Sequence, residues 1–152
     1  MPDDTSLRWS TPPAAVTALS LAGIALAVTA VVAVPDAAGR VLVGFAALII
    51  LVTVALALRQ RPRLAVLPGA TGLVAMRLTG RREFPRPALQ RVRIVEYPRF
   101  GRRVPMLEID AIDPASGTES LMIFGRWDLG TDPRKVHEAL AARDLAPDHT
   151  PN

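Results

Sequence analysis

The chain has no cysteine, which excludes disulfides, thiolate nucleophiles and cysteine-bound metals. Histidine is nearly missing as well, with His137 and His149 the two copies. The first falls on a short predicted helix, where it is expected to be solvated, and the second in the C-terminal tail. No Ser-His-acid arrangement, paired-histidine metal motif or Gly-rich phosphate loop can be read from the residues that are present. No catalytic residue, cofactor or metal is therefore expected, and the chain is read as a non-enzyme. Lysine is represented by Lys135 alone among 18 basic residues. The rest are arginine, a bias that reads, with the abundant alanine, as high-GC bacterial coding.

Charge is absent from two long stretches. Residues 14–34 carry none over 21 positions, and residues 41–58 none over 18. A helix rises about 1.5 Å per residue, so each stretch covers roughly the 30 Å hydrocarbon core of a bilayer. The first is longer than the core of a signal peptide, and its flank sets Arg8 beside Asp3 and Asp4. With a second stretch following at once, a helical hairpin is the better reading. Thr17, Ser20, Thr29 and Thr53 are its polar side chains. Each can bond its own helix, and none makes an ion pathway. Gly23 and Ala27 are spaced for close helix packing, but ordinary alanine-rich composition is the preferred explanation.

The basic excess is local. Residues 1–58 carry a net charge of −1, residues 59–113 carry +7 and residues 114–152 carry −2. Arg59, Arg61 and Arg63 follow the second stretch directly, against Arg40 alone in the loop between the two. Positive residues stay on the cytoplasmic side. Both termini are accordingly expected in the cytoplasm of a bacterial cell, in a multi-pass cell-membrane protein. Trp9, just outside the first stretch, suits the interface.

From Leu64 onward short strands alternate with turn signals. Strands are predicted over 64–67, 73–78, 82–84, 89–97, 104–111 and 118–124. Leu107, Ile109 and Ala111 alternate with Glu108 and Asp110, the period of a half-buried strand. Glu108 and Asp110 could in principle hold a cation, but polar positions of a half-exposed strand explain them more simply. Leu121 and Ile123 share one face of the last strand. Asp132 and Pro133 then open a helix with Val136, Ala139, Leu140 and Arg143 at i, i+3, i+4 and i+7. The expected organisation is a cytoplasmic tail over 1–12, a transmembrane hairpin over 13–58 with spans 14–34 and 41–58, a cytoplasmic domain over 62–146 and a disordered tail over 147–152. The domain is α+β: a small curved antiparallel sheet or open barrel capped by one helix.

Several motifs carry a resemblance. Arg61-Pro62-Arg63-Leu64 follows two apolar stretches. Gly80-Arg81-Arg82, Val104-Pro105-Met106-Leu107-Glu108-Ile109-Asp110 and Phe124-Gly125-Arg126-Trp127-Asp128-Leu129-Gly130 come next, before an Asp-Pro-capped helix. Together they resemble the actinobacterial membrane proteins with a bacterial pleckstrin-homology-like domain, the group that includes low molecular weight protein antigen 6. The resemblance implies a pleckstrin-homology fold of about six or seven strands, membrane embedding and no assigned catalysis. The chain departs from the group at Pro85-Arg86-Pro87, where members often carry a Pro-Trp pair.

If strands run up and down from the membrane, the turns at 80–82, 98–103 and 125–130 face the lipid. Arg59, Arg61, Arg63, Arg81, Arg82, Arg99, Arg102 and Arg103 are then candidate contacts to anionic inner-leaflet head groups. A solvated surface that only obeys the positive-inside rule is the competing reading. The 68–72 turn has no basic residue, which argues against specific inositide binding. Phe100 is the better candidate for an exposed anchor. Trp127 is either an anchor or, preferentially, core packing under the helix. No nucleic-acid motif accompanies the basic charge. The sequence favours a membrane-anchored interaction module with a protein or peptide partner at a sheet edge or helix groove. The alternative is an anionic-lipid recognition or membrane-organising protein that works through its Arg-rich turns.

Overall fold

The computed structural model describes residues 7–147. His149 and almost all of the expected C-terminal tail lie outside the described residues. The chain divides into a helical unit over 11–61 and a second unit made of residues 1–10 and 62–152.

The helical unit is an antiparallel pair. Helix α1 spans Pro13–Val32 and α2 spans Ala37–Arg59. Proline suits the first turn of α1, where its missing N–H has no partner to lose. Asp36 caps α2, its side chain accepting from the Gly39 N–H at 2.6 Å. Buried Val16, Gly23 and Ala30 on α1 lie seven residues apart, as do Ala47 and Val54 on α2, the spacing of a packed seam. A Cβ placed on Gly23 would stand 2.8 Å from Leu51 Cδ2. Gly23 is therefore a packing contact and not incidental composition, while Ala30, more than the half-buried Ala27, completes the seam. Thr17, Ser20, Thr29 and Thr53 each bond the carbonyl four residues back, as their positions suggested. Leu21, Ile24, Phe45, Leu48 and Ile49 point outward. Both helices are long and apolar enough to cross a membrane, and only 17% and 11% of their apolar windows are buried. A core helix of a soluble domain would bury most of that surface.

The second unit contains seven antiparallel strands in two sheets. Strands β1 (Arg8–Trp9), β2 (Leu64–Val66), β3 (Gly72–Arg77) and β4 (Gly80–Pro85) form the first, in that order. Strands β5 (Leu89–Arg99), β6 (Arg102–Ile112) and β7 (Glu119–Phe124) form the second. Helix α3 (Arg126–Leu129) and helix α4 (Pro133–Ala141) follow. Six of the seven strands sit where alternation placed them, with no end shifted by more than two residues. β1 is the unforeseen one. It lies within the segment read as a tail, yet Trp9 pairs with Leu64 and packs on the domain core. The helical hairpin is thus an insertion between two paired strands.

The core lies between the sheets. Leu64, Leu73 and Phe84 meet Val92, Leu107 and Ile109, and Leu129, Val136, Leu140 and Leu145 close the opening. Asp132 caps α4 by accepting from the Arg134 N–H at 2.9 Å. His137 is less solvated than its helix position implied, because its Nε2–H donates to the Val92 carbonyl at 3.2 Å. The Val92 N–H donates in turn to Pro147, so α4 and its tail occupy the free edge of β5.

Three arginines join the first sheet and its flank to the second sheet and the segments beside it. Arg63 before β2 reaches Asp128 at 2.7 Å, Arg77 at the end of β3 reaches Ser120, and Arg82 in β4 reaches Asp113 at 3.4 Å. Long guanidinium side chains close a seam that backbone pairing leaves open.

Candidate functional site

The most distinctive part of the domain surface is a projecting ribbon. β5 and β6 have 11 residues each, and β7 has only six. The last β6–β7 pair is Leu107 with Phe124. From Val95 opposite Met106 to Arg99 opposite Arg102, the β5–β6 hairpin continues beyond it. Five pairs at about 3.4 Å each give an overhang of roughly 17 Å. The register leaves Phe100 and Gly101 as a two-residue loop, with φ of 47° and 74°. That is the type I′ geometry, whose positive φ at both positions favours Asn-Gly. Gly101 adopts it freely. Phe100 does not, since a Cβ-bearing aromatic in the left-handed region crowds its own backbone. Phe100 is nonetheless fully exposed, at 105% of its reference area. Arg99, Arg102 and Arg103 surround it, all exposed, with no ion-pair or hydrogen-bond partner among the described residues.

The root of the ribbon is firmly held. Glu108, on the outer face of β6, is 5% exposed. It is buried, contrary to the half-exposed position expected of it. Arg93 Nε donates to its Oε1 at 2.7 Å, and the Tyr97 hydroxyl donates to its Oε2 at 3.2 Å. Both carboxylate oxygens are engaged, so Glu108 serves as a clamp between β5 and β6. Desolvation, then the hydrogen bond from its hydroxyl to Glu108 and the carboxylate's charge, hold the Tyr97 phenol above its ordinary pKa. Arg134 of α4 pairs with Glu96 at 2.7 Å and steadies the ribbon from the side.

The second feature is the outer face of the same sheet. Phe124 and Met122 turn inward opposite Leu107 and Ile109, so Leu121 and Ile123 face outward at 57% and 39% exposure. Arg91, Asp110 and Leu121 lie in one cross-strand row. A depression of about 440 Å³ follows that row, flanked by Gln90 and Glu119.

The eight arginines expected at lipid head groups do not form one set. Arg59 is exposed at the end of α2, and Arg61 donates to the Thr11 carbonyl, joining the two ends of the helical hairpin. Arg63 and Arg82 belong to the seam between the sheets, and Arg81 pairs with Glu83. Arg82 beside Asp113 puts the 80–82 turn next to the 113–118 loop, which the up-and-down scheme assigns to opposite ends. That contact breaks the alternation. Arg99, Arg102 and Arg103 are left together at the ribbon tip.

Trp127 is 51% exposed, not buried under the helix as preferred from the sequence. Leu129 takes the core position instead, because Asp128 is committed to the Gly125 N–H and to Arg63. Gly125 packs against Met106, so α3 begins at the ribbon root. The Arg63 N–H donates to the Trp9 carbonyl. The points where the chain leaves this unit for the helices, the short α3 and the ribbon therefore share one end of the domain. Among the described residues no cluster of three or more His, Asp or Glu side chains could hold a metal ion.

Two antiparallel sheets sharing one core and closed by a C-terminal helix define a pleckstrin-homology-like domain. Residues 61–146 match the Bacterial PH domain family, and the chain belongs to it. The match begins after β1, which explains why that strand is the one easily missed. The chain is 37% identical over 139 residues to an uncharacterised protein of Mycobacterium tuberculosis, found in strains CDC 1551 and H37Rv. The likeness covers 91% of this chain and 93% of that protein, and so takes in the helical hairpin as well as the domain. No solved structure matches the chain.

Proposed function

We propose that this is a non-enzymatic, membrane-anchored interaction module. The two helices hold the domain at the inner leaflet, and the outer face of the β5–β6–β7 sheet receives a protein or peptide partner. One observation carries the reading: a sheet whose inner face is fully buried also presents Leu121 and Ile123 outward, beside a depression crossed by the Arg91–Asp110 pair. Exposed apolar side chains rimmed by charge mark interaction surfaces more often than random exposure does. The family supports a binding role over a chemical one.

The test is site-directed photo-crosslinking in native membranes, with the probe at Leu121 or Ile123 of the full chain. Discrete adducts from these positions, absent with the probe at Arg81 and lost in Asp110→Arg, are the expected result. Equal labelling from both sheets would remove the outer face as the docking surface.

A further inference from the structure

We infer that the β5–β6 ribbon is a second, independent anchor that inserts Phe100 into an anionic leaflet while Arg99, Arg102 and Arg103 engage its phosphates. This rests on the membrane anchoring proposed above but not on the protein-docking face. Four observations converge on the tip. Phe100 is fully exposed where an apolar ring gains nothing from water. Its backbone is held at φ 47°, so the residue type is one the turn itself disfavours. The tip is a two-residue turn on a ribbon that runs five pairs past its neighbouring strand, with its root clamped by Glu108. Its three flanking guanidinium groups have no partner among the described residues, whereas Arg63, Arg81, Arg82, Arg93 and Arg134 are all paired.

The occupant follows from the chemistry. Three unpaired cations around one apolar ring match a surface that is anionic outside and apolar within, which is the profile of an acidic bilayer. A protein partner would more often offer carboxylates to a flat or concave face than to a projecting tip. The exit of the chain toward the helices lies at the same end of the domain as the ribbon root, through the Arg63 contacts to Trp9 and Asp128. Arg126 and Trp127, both exposed on α3, repeat the pairing of cation and aromatic there. With two anchors in one membrane, the second needs little intrinsic affinity, because its effective concentration is set by the first.

The absence of cysteine makes the test direct. A nitroxide on Pro98→Cys, exposed on the ribbon two residues before Phe100, keeps the ring and the three arginines in the otherwise native full chain and reports depth through its relative exposure to oxygen and to a soluble nickel chelate. A label on Leu78→Cys, exposed on the β3–β4 turn, is the aqueous control. The chain is placed in nanodiscs of phosphatidylcholine alone or with a third phosphatidylglycerol. The expected result is a position-98 label at membrane depth in the anionic discs, returned to water by Phe100→Ser, and an aqueous one in the neutral discs. Each lost cationic contact is worth about fivefold near an anionic surface. Arg99→Glu, Arg102→Glu and Arg103→Glu together should therefore shift the docked-to-free ratio by roughly 100-fold or more. A chain that fails to enter the discs would sink the anchoring and the tip together. A disc-bound chain with an aqueous tip in both compositions would overturn the tip alone. A label that is aqueous in discs but immobilised in native membranes would assign the ribbon to a protein.

Discussion

At the scale of single residues, Phe100 is the side chain whose position conflicts with its local preference. Left-handed backbone costs a Cβ-bearing residue about 1–2 kcal/mol, and Asn tolerates it best. Phe100→Asn is expected to stabilise the detergent-solubilised protein by about 1 kcal/mol, seen as a domain melting midpoint roughly 4–8 °C higher. A lower midpoint would mean that the ring is packed in solution. Tyr97 gives a second expectation. Its phenol is held above its ordinary pKa, so the fold favours the protonated form. That stabilisation is complete below the unfolded value of about 10 and declines as pH rises through the folded one. Tyr97→Phe should therefore lose less stability than the native chain on going above about pH 10, in urea titrations at matched ionic strength. The arginines show the limit of reading residues singly. Their number and their place along the chain were plain, but only the fold separates Arg63 and Arg82, which pair with Asp128 of α3 and Asp113 of the 113–118 loop, from Arg99, Arg102 and Arg103, whose side chains have no partner among the described residues.

At the scale of elements, two contacts test the packing. Gly23 faces Leu51 at a distance that leaves no room for a larger side chain. Gly23→Leu is expected to destabilise the helical hairpin by about 1–3 kcal/mol in SDS titrations, with Gly23→Ala milder because Leu51 can move its terminal methyl. In the seam, Arg63 and Asp128 have side chains 23% and 25% exposed, whereas Arg81 and Glu83 are 58% and 53% exposed. Double-mutant cycles should give a coupling of about 1 kcal/mol for the first pair and close to zero for the second. Most elements were legible from the sequence, because β5, β6 and α4 follow their periods and carry their own turn and cap residues. Two features were not. β1 is two residues long and owes its existence to the partner strand beyond the hairpin, a pairing across 55 positions of sequence. The outward turn of Leu121 and Ile123 reflects a register in which Met122 and Phe124 fill the core opposite Ile109 and Leu107. Alternation alone cannot say which of two apolar faces goes in.

At the scale of the whole molecule, a helical hairpin is inserted between two paired strands of a bacterial PH domain. Both ends of the hairpin continue into neighbouring strands, Trp9 of β1 and Leu64 of β2. The candidate site was less legible than the fold, because outward faces and seams depend on how the two sheets pack over one core. That packing is a property of the assembled domain and of no one segment.

The measurement that bears most directly on this arrangement is thiol accessibility in intact cells. The chain has no native cysteine, so Ala38→Cys, in the first turn of α2 beside the loop between the helices, and Leu78→Cys, on the domain, each provide one reporter. A membrane-impermeant maleimide should label position 38 in intact cells and position 78 only after lysis. Labelling of position 78 in intact cells, or of neither position until lysis, would contradict a domain held on the cytoplasmic face by a membrane-crossing hairpin.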